Sequence, residues 1–293
     1  AWFKALERMP EIRCAGLVDI KEENARKKAA EFKLGDVLIE TDLASAIKQL
    51  SPDVVFDCTL PETHVEVCTR ALESGCHVLG EKPLADNMDN ARKIINTARD
   101  RKKLHAVIQN RRFTSDIRAL HRFIGSGVLG KLHTVYSDFF IGAHFGGFRD
   151  SMKHVLLLDM AIHTFDAARF ITGADPVSVM AHEWNPSSSW YDHDASACAL
   201  FTMTGGIVYG YRGSWCAEGM NTSWESNWRF IFEGGSLTWN GGKEFKIQKV
   251  TGSSGFVRET KDLVMESYKD LEWEGHAGVI HNFVECVMKK RSE

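Results

Sequence analysis

The chain has 293 residues, with 36 Lys and Arg against 39 Asp and Glu and a formal net charge of −3. The two signs are scattered, which excludes the basic face of a dedicated nucleic-acid binder. Hydrophobic residues make up 44% and aromatics 10%, which excludes wholesale disorder, and the length suits two domains better than one core.

In chain order, residues 2–9 read as the middle of an amphipathic helix. Residues 12–19 (IRCAGLVD) form a short apolar run ending in an acid, and 22–32 a charged amphipathic helix. A helix over 41–50 starts at Thr41 or Asp42, and DVVFDC (53–58) reads as a buried strand. A helix over 63–74 leads through Gly75 to a strand at 77–80, a long helix at 84–102 and a strand at 104–109. Strands alternating with helices predict βαβ units and a parallel sheet covered on both faces.

The pattern changes near residue 112. Helices over 114–124 and 156–171 accompany strands at 131–141, 177–184, 195–204, 207–215, 228–233, 236–239 and 245–250. Thr204-Gly205-Gly206, Glu233-Gly234-Gly235 and Asn240-Gly241-Gly242 are hairpin signals between them. The expected architecture is an α/β Rossmann-like domain over 1–112. An α+β domain with a large, mostly antiparallel open sheet follows over 113–293.

Neither a spanning helix nor a secretory signal is read: no apolar run approaches about 18 residues, and AWFKALERMP lacks a basic-then-apolar start. The seven cysteines (14, 58, 68, 76, 198, 216, 286) are odd in number, have no CxxC pair and mostly sit in apolar strings. That usage predicts buried thiols in a reducing compartment, and so a cytoplasmic location.

A nucleotide-binding βαβ unit carries G-x-G-x-x-G about 20 residues before a ribose-binding acid. The chain has no such motif. Counting back from Asp19 puts the glycine loop just before Ala1. The expectation is therefore a chain that starts inside the first helix; the competing reading is a degenerate fold that binds no dinucleotide.

Two motifs carry chemistry. Glu81-Lys82-Pro83 follows the 77–80 strand at the carboxyl edge, where open α/β sheets bind ligands, although as a bare tripeptide it also suits a solvated pair before a helix. Asp159 and His163, spaced i, i+4 in LLLDMAIHTFD, share one face of an apolar helix. A carboxylate one turn before an imidazole suits a general base; a hydrogen-bonded core histidine is the plainer alternative. His144, His154 and His163 with Asp159 match no zinc spacing, so no metal is expected.

THVEVCTRALESGCHVLGEKPLADNMDNARKIINTA, NRRF and LLLDMAIHTFD together resemble the glucose–fructose oxidoreductase / inositol dehydrogenase (Gfo/Idh/MocA) family over essentially the whole chain. The resemblance implies a cofactor-binding first domain, a second domain for substrate binding and oligomerisation, and NAD(P)-dependent chemistry on sugars or polyols. It aligns Lys82, His163 and Asp159 with the catalytic lysine, the proton acceptor and the aspartate that positions substrate. It aligns Asp19 with the acid at the ribose hydroxyls, suggesting NAD over NADP. Thr59, Leu60, Pro61, His64, Glu81, Asn110 and Arg112 fall at cofactor positions. An ion-paired Arg112 and a helix-starting His64 are equally open readings.

The family's glycine-rich G-G-G-x-L-x-D-x-G-x-H run reads KHVLLLDMAIH here, which puts His154 beside the substrate position. The Ser-, Asn- and Trp-rich segment 211–228 is a candidate sugar-pocket wall, including Trp215 and Trp224. The expected function is hydride transfer between a sugar, inositol or sugar derivative and nicotinamide, by a homodimer or homotetramer with no nucleic-acid or membrane partner. Glycoside cleavage through a transient keto-sugar, a non-catalytic sugar sensor and a structural subunit are the alternatives.

Overall fold

The computed structural model describes residues 1–268 and 271–291. They divide into two compact units, 1–110 with 272–293, and 111–271.

In the first unit, α1 (Trp2–Leu6) precedes β1 (Gly16–Val18), α2 (Glu22–Glu31), β2 (Leu38–Glu40) and α3 (Leu43–Leu50). Then come β3 (Val54–Asp57), α4 (His64–Glu73), β4 (His77–Gly80), α5 (Met88–Asp100) and β5 (His105–Val107). All pairings are parallel, in two sheets ordered β1-β2 and β3-β4-β5. Local chemistry explains the boundaries. Asp42 accepts the Ser45 N–H at 2.7 Å and so starts α3. Asn87 accepts the Asn90 N–H at 2.9 Å, so α5 begins there and the 84–87 stretch of the expected helix stays outside it. Gly75, at φ 90°, closes α4 in a left-handed turn that few side chains tolerate. Val78 and Leu79 are fully buried, and Val78 packs with Cys68, Ala71, Leu72, Ile94 and Ala98 from α4 and α5.

The second unit contains α6 (Ser115–Gly125), β6 (Leu132–Phe140), α7 (Ile162–Thr172), β7 (Pro176–Trp184), β8 (Ser196–Met203) and β9 (Val208–Ser214). It ends with β10 (Asn227–Phe232), β11 (Gly235–Trp239), β12 (Phe245–Val250) and β13 (Thr260–Leu263). These strands form one eight-stranded sheet, β13-β12-β11-β10-β6-β9-β8-β7, antiparallel except at β6–β9. All three glycine pairs lie at tight connections, between β8 and β9, β10 and β11, and β11 and β12. Strand alternation sends Val135, Phe139, Tyr209, Phe230 and Leu237 into the core and leaves Tyr136, Met180 and Leu200 on the open side.

Two features depart from the sequence expectation. Residues 272–293 group with the first unit, because α8 (Gly275–Lys289) packs on α1 and β4 instead of extending the second domain. The expected 156–171 helix opens as a π-helical turn, Leu156–Ala161, before α7 begins. Periodicity alone does not separate the two helix types, and π turns occur preferentially at functional sites.

Candidate functional site

In the first unit, the candidate residues gather at the carboxyl ends of the strands. Asp57, 1% exposed at the end of β3, organises them. Its Oδ1 accepts the Thr59 N–H at 3.0 Å and the Thr59 hydroxyl at 2.6 Å, and its Oδ2 accepts the Cys68 thiol at 3.3 Å. Its backbone oxygen accepts the Glu81 N–H at 2.8 Å, tying the two loops together. His64 braces them further: Nδ1 is 2.9 Å from the Pro83 carbonyl and Nε2 is 3.1 Å from the Thr59 carbonyl. Buried between two carbonyls, His64 is a brace for this edge.

Leu60 stands 62% exposed at the loop tip, and its carbonyl accepts the Thr63 hydroxyl at 2.8 Å. Pro61 follows it, with its carbonyl accepting the His64 N–H at 3.4 Å. Glu81 accepts the Trp2 indole N–H at 2.7 Å and the Lys82 N–H at 3.3 Å, so the EKP loop is fixed by its own glutamate. The Lys82–Pro83 peptide is cis. Asp19 follows β1 directly; its Oδ1 accepts the Lys21 N–H at 2.8 Å and the Asn24 amide at 3.2 Å. Asp19 Oδ2 takes no hydrogen bond among the described residues. Asn110 closes the unit, opening a short 3₁₀ turn with Arg111, Arg112 and Phe113.

In the second unit, Asp159 lies on the π-helical turn and His163 at the second position of α7, with its Nδ1 buried. Asp159 is paired with Arg149, whose Nε and Nη2 donate to its two oxygens at 2.8 and 3.3 Å. Arg149 is itself held over the Phe145 and Phe148 rings, 5.0 and 4.8 Å from their centroids. The sequence reading missed Arg149, which lies ten residues before its partner and outside any helical spacing.

His154 has φ 54° and bonds Glu183 on β7 at 2.7 Å, so its ring is directed to the sheet edge. Arg112 is engaged by Asp166 of α7 at 2.7 and 2.5 Å. That ion pair favours the structural reading of Arg112. Trp215 is buried at 2% exposure, whereas Trp224 is 51% exposed and packs on Trp215, Phe139 and Phe145. Burial raises the phenol of Tyr191, which donates to the Ala143 carbonyl at 2.9 Å and lies in the field of Asp150 and Asp159. Among the described residues no group of three or more His, Cys, Asp or Glu side chains is arranged to hold a metal ion.

Residues 2–109 match the model of an oxidoreductase family with an NAD-binding Rossmann fold, and 117–238 match the GFO/IDH/MocA C-terminal domain. The chain belongs to the Gfo/Idh/MocA family. D-glucoside 3-dehydrogenase of Escherichia coli is 31% identical over 166 residues, covering 55% of this chain and 47% of that protein. Inositol 2-dehydrogenase of Rhizobium meliloti is 31% identical over 163 residues, covering 52% and 47%. The match thus spans about half the length of these curated relatives. A crystal structure of an Agrobacterium radiobacter oxidoreductase with NAD+, L-tartaric acid and magnesium has a TM-score of 0.83 at 17% identity, covering 99% of this chain and 85% of that one. A levoglucosan dehydrogenase bound to NADH and levoglucosan superposes at 0.79 and 19% identity, covering 99% and 86%. These structures share the Gfo/Idh/MocA fold.

The family implies a dinucleotide, and the first unit fits part of one. Asp19 stands at the end of a parallel strand with Oδ1 taken by Lys21 and Asn24, a position where a dinucleotide ribose would be met. The Thr59–Pro61 and Glu81–Pro83 loops offer a braced wall at the ends of β3 and β4. No glycine-rich turn for a pyrophosphate occurs within residues 1–293.

Proposed function

We propose that the protein is an NAD-dependent oxidoreductase acting on a secondary alcohol of a sugar, an inositol or a sugar derivative. The observation that carries this reading is Asp159 and His163 on consecutive turns of one buried segment, with the carboxylate oriented by Arg149. The names of the relatives, a glucoside dehydrogenase and an inositol dehydrogenase, support the substrate class.

NAD, when bound, supplies the hydride acceptor. His163 takes the hydroxyl proton on its imidazole, and the ionised Asp159 favours the resulting imidazolium. Lys82 donates a hydrogen bond to the substrate oxygen and stabilises the negative charge that develops there. His154 and the exposed face of Trp224 border the substrate, Asn110 supports the cofactor side, and Arg112, held by Asp166, has a structural role. The exposed apolar positions on the open face of the sheet, Tyr136, Met180 and Leu200, suit a homodimer or homotetramer, and the free thiols suit the cytoplasm.

Calorimetry with NAD and NADP, then absorbance at 340 nm with myo-inositol and methyl glucosides, tests the reading. His163→Ala is expected to lower kcat by about 10²–10⁴. Full activity in that variant, or no binding of either dinucleotide, would refute it. Light scattering tests the oligomer.

A further inference from the structure

Each of the two candidate catalytic side chains is followed in sequence by a buried residue that a single short corner grips. Met160, 3% exposed, follows Asp159, and its Sδ accepts from Arg111 Nη2 at 3.5 Å. Thr164, fully buried, follows His163, and its hydroxyl meets that of Ser226 at 3.3 Å. Glu225 closes the link: its Oε2 is 3.2 Å from Arg111 Nε, and Ser226 is the next residue.

This corner is built at some cost. Ser226 is fully buried at φ 69°, a left-handed conformation that non-glycine residues avoid unless their surroundings hold them there. The surroundings do hold it. The Trp228 indole N–H donates to the Glu225 carbonyl at 2.7 Å, and the Ser226 N–H donates to Ser223 at 3.1 Å. Gly241 lies so close that a Cβ there would stand 2.2 Å from the Ser226 carbonyl oxygen. Arg111 is itself 8% exposed, and a buried guanidinium facing a thioether is a poor way to satisfy donors for stability alone. Burial raises the Glu225 carboxyl against the pull of Arg111, and Asp116 and Tyr211 are the other titratable groups facing the pair.

We propose that Arg111, Glu225 and Ser226 are positioning residues that fix the π-helical turn and the first turn of α7, and thereby set the orientation of Asp159 and His163. The inference rests on the roles assigned to those two side chains above. The cluster reaches them through Met160 and Thr164.

The test combines kinetics with an imidazole titration. In the full chain, the His163 ring resonance is assigned by its disappearance in His163→Ala and followed against pH by NMR. Arg111→Met is expected to lower kcat by about 10–100-fold, the scale of a small misplacement at a reacting centre, and to move the His163 titration. KM should stay within about threefold, and Arg111→Lys should recover most of the rate. Ser226→Gly keeps the left-handed backbone and removes the hydroxyl together with its Cβ. It therefore folds even where Arg111→Met does not, and should shift the same two readouts in the same direction. Unchanged kcat and unchanged His163 titration in Ser226→Gly and Arg111→Met overturn the proposal. Full activity in His163→Ala overturns the catalytic assignment instead, and the titration shift then still decides whether the corner positions the ring.

Discussion

His105 gives the first unit a calculable dependence on acid. It opens β5 in register with Val78 of β4, with its Nε2 buried. Gly80 lies between it and Asp57, since a Cβ at Gly80 would be 3.9 Å from both His105 Nε2 and Asp57 Cβ. Burial lowers the imidazole from 6.5 to about 4; Asp57 opposes the shift and His64 adds to it. The folded unit therefore binds this proton less tightly than the unfolded chain does. The stabilisation is fully present above pH 6.5 and is lost progressively as pH falls towards 4. At 1.36 kcal/mol per pH unit, the shift amounts to roughly 3 kcal/mol, a large part of an ordinary domain's stability. His105→Leu removes the titrating group and should flatten the decline between those two pH values. Hydrogen exchange of the β3–β5 amides reads the first unit alone, avoiding a global transition that two units need not share. Burial also lowers His77 and His276, so a shallower slope persists in the variant. Wild type and His105→Leu losing protection in parallel from pH 7 to 4 would refute the reasoning.

Three further outcomes follow from individual contacts. Asp42→Ala should cost about 1 kcal/mol in denaturant titrations, because it leaves the Ser45 N–H at the start of α3 uncapped. Arg149→Met strips the partner from a carboxylate whose side chain is only 10% exposed, and should lower kcat/KM by about tenfold or more in 340 nm assays while NAD affinity measured by calorimetry stays unchanged. Trp215→Ala should cost about 3–5 kcal/mol in denaturation, whereas Trp224→Ala should cost far less and raise KM for the sugar; normal turnover in both variants removes the sugar-wall role of this segment.

Most strands and helices were legible because their hydrophobic periods are unambiguous. VVFD and HVLG are short apolar runs between helix patterns, and the sequences from β8 to β12 alternate between glycine pairs. The elements that escaped have weak signals. The three residues of β2, LIE, are too few to show a period, and β13 reads TKDL, a polar edge strand paired with β12. The C-terminal helix escaped for a different reason: its sequence is readable, but its allegiance to α1 and β4 is a tertiary choice with no local signature. The 84–87 stretch failed locally, because the Asn87 cap competes with any helix drawn through it.

The site divides along the same line. Lys82, Asp159 and His163 could be named because sequence spacing and family resemblance both mark them, yet the groups that set their geometry are distant in sequence. Asp57 acts through Thr59, Cys68 and the Glu81 backbone, and Arg149 reaches Asp159 from a glycine-rich loop. The sequence reading gave Asp159 two tasks, to orient or charge-stabilise an imidazole and, by the family resemblance, to position substrate. The bidentate guanidinium changes the first. Part of the carboxylate's negative charge is already met by Arg149, so less of it acts on the ring, while the two hydrogen bonds fix the direction of both oxygens. In the proposed mechanism Asp159 then acts more through orientation than through charge. An Asp159→Asn variant retains the shape and loses the charge, so it should keep more activity than Asp159→Ala, and the difference in kcat between the two measures how much of the aspartate's role is geometric.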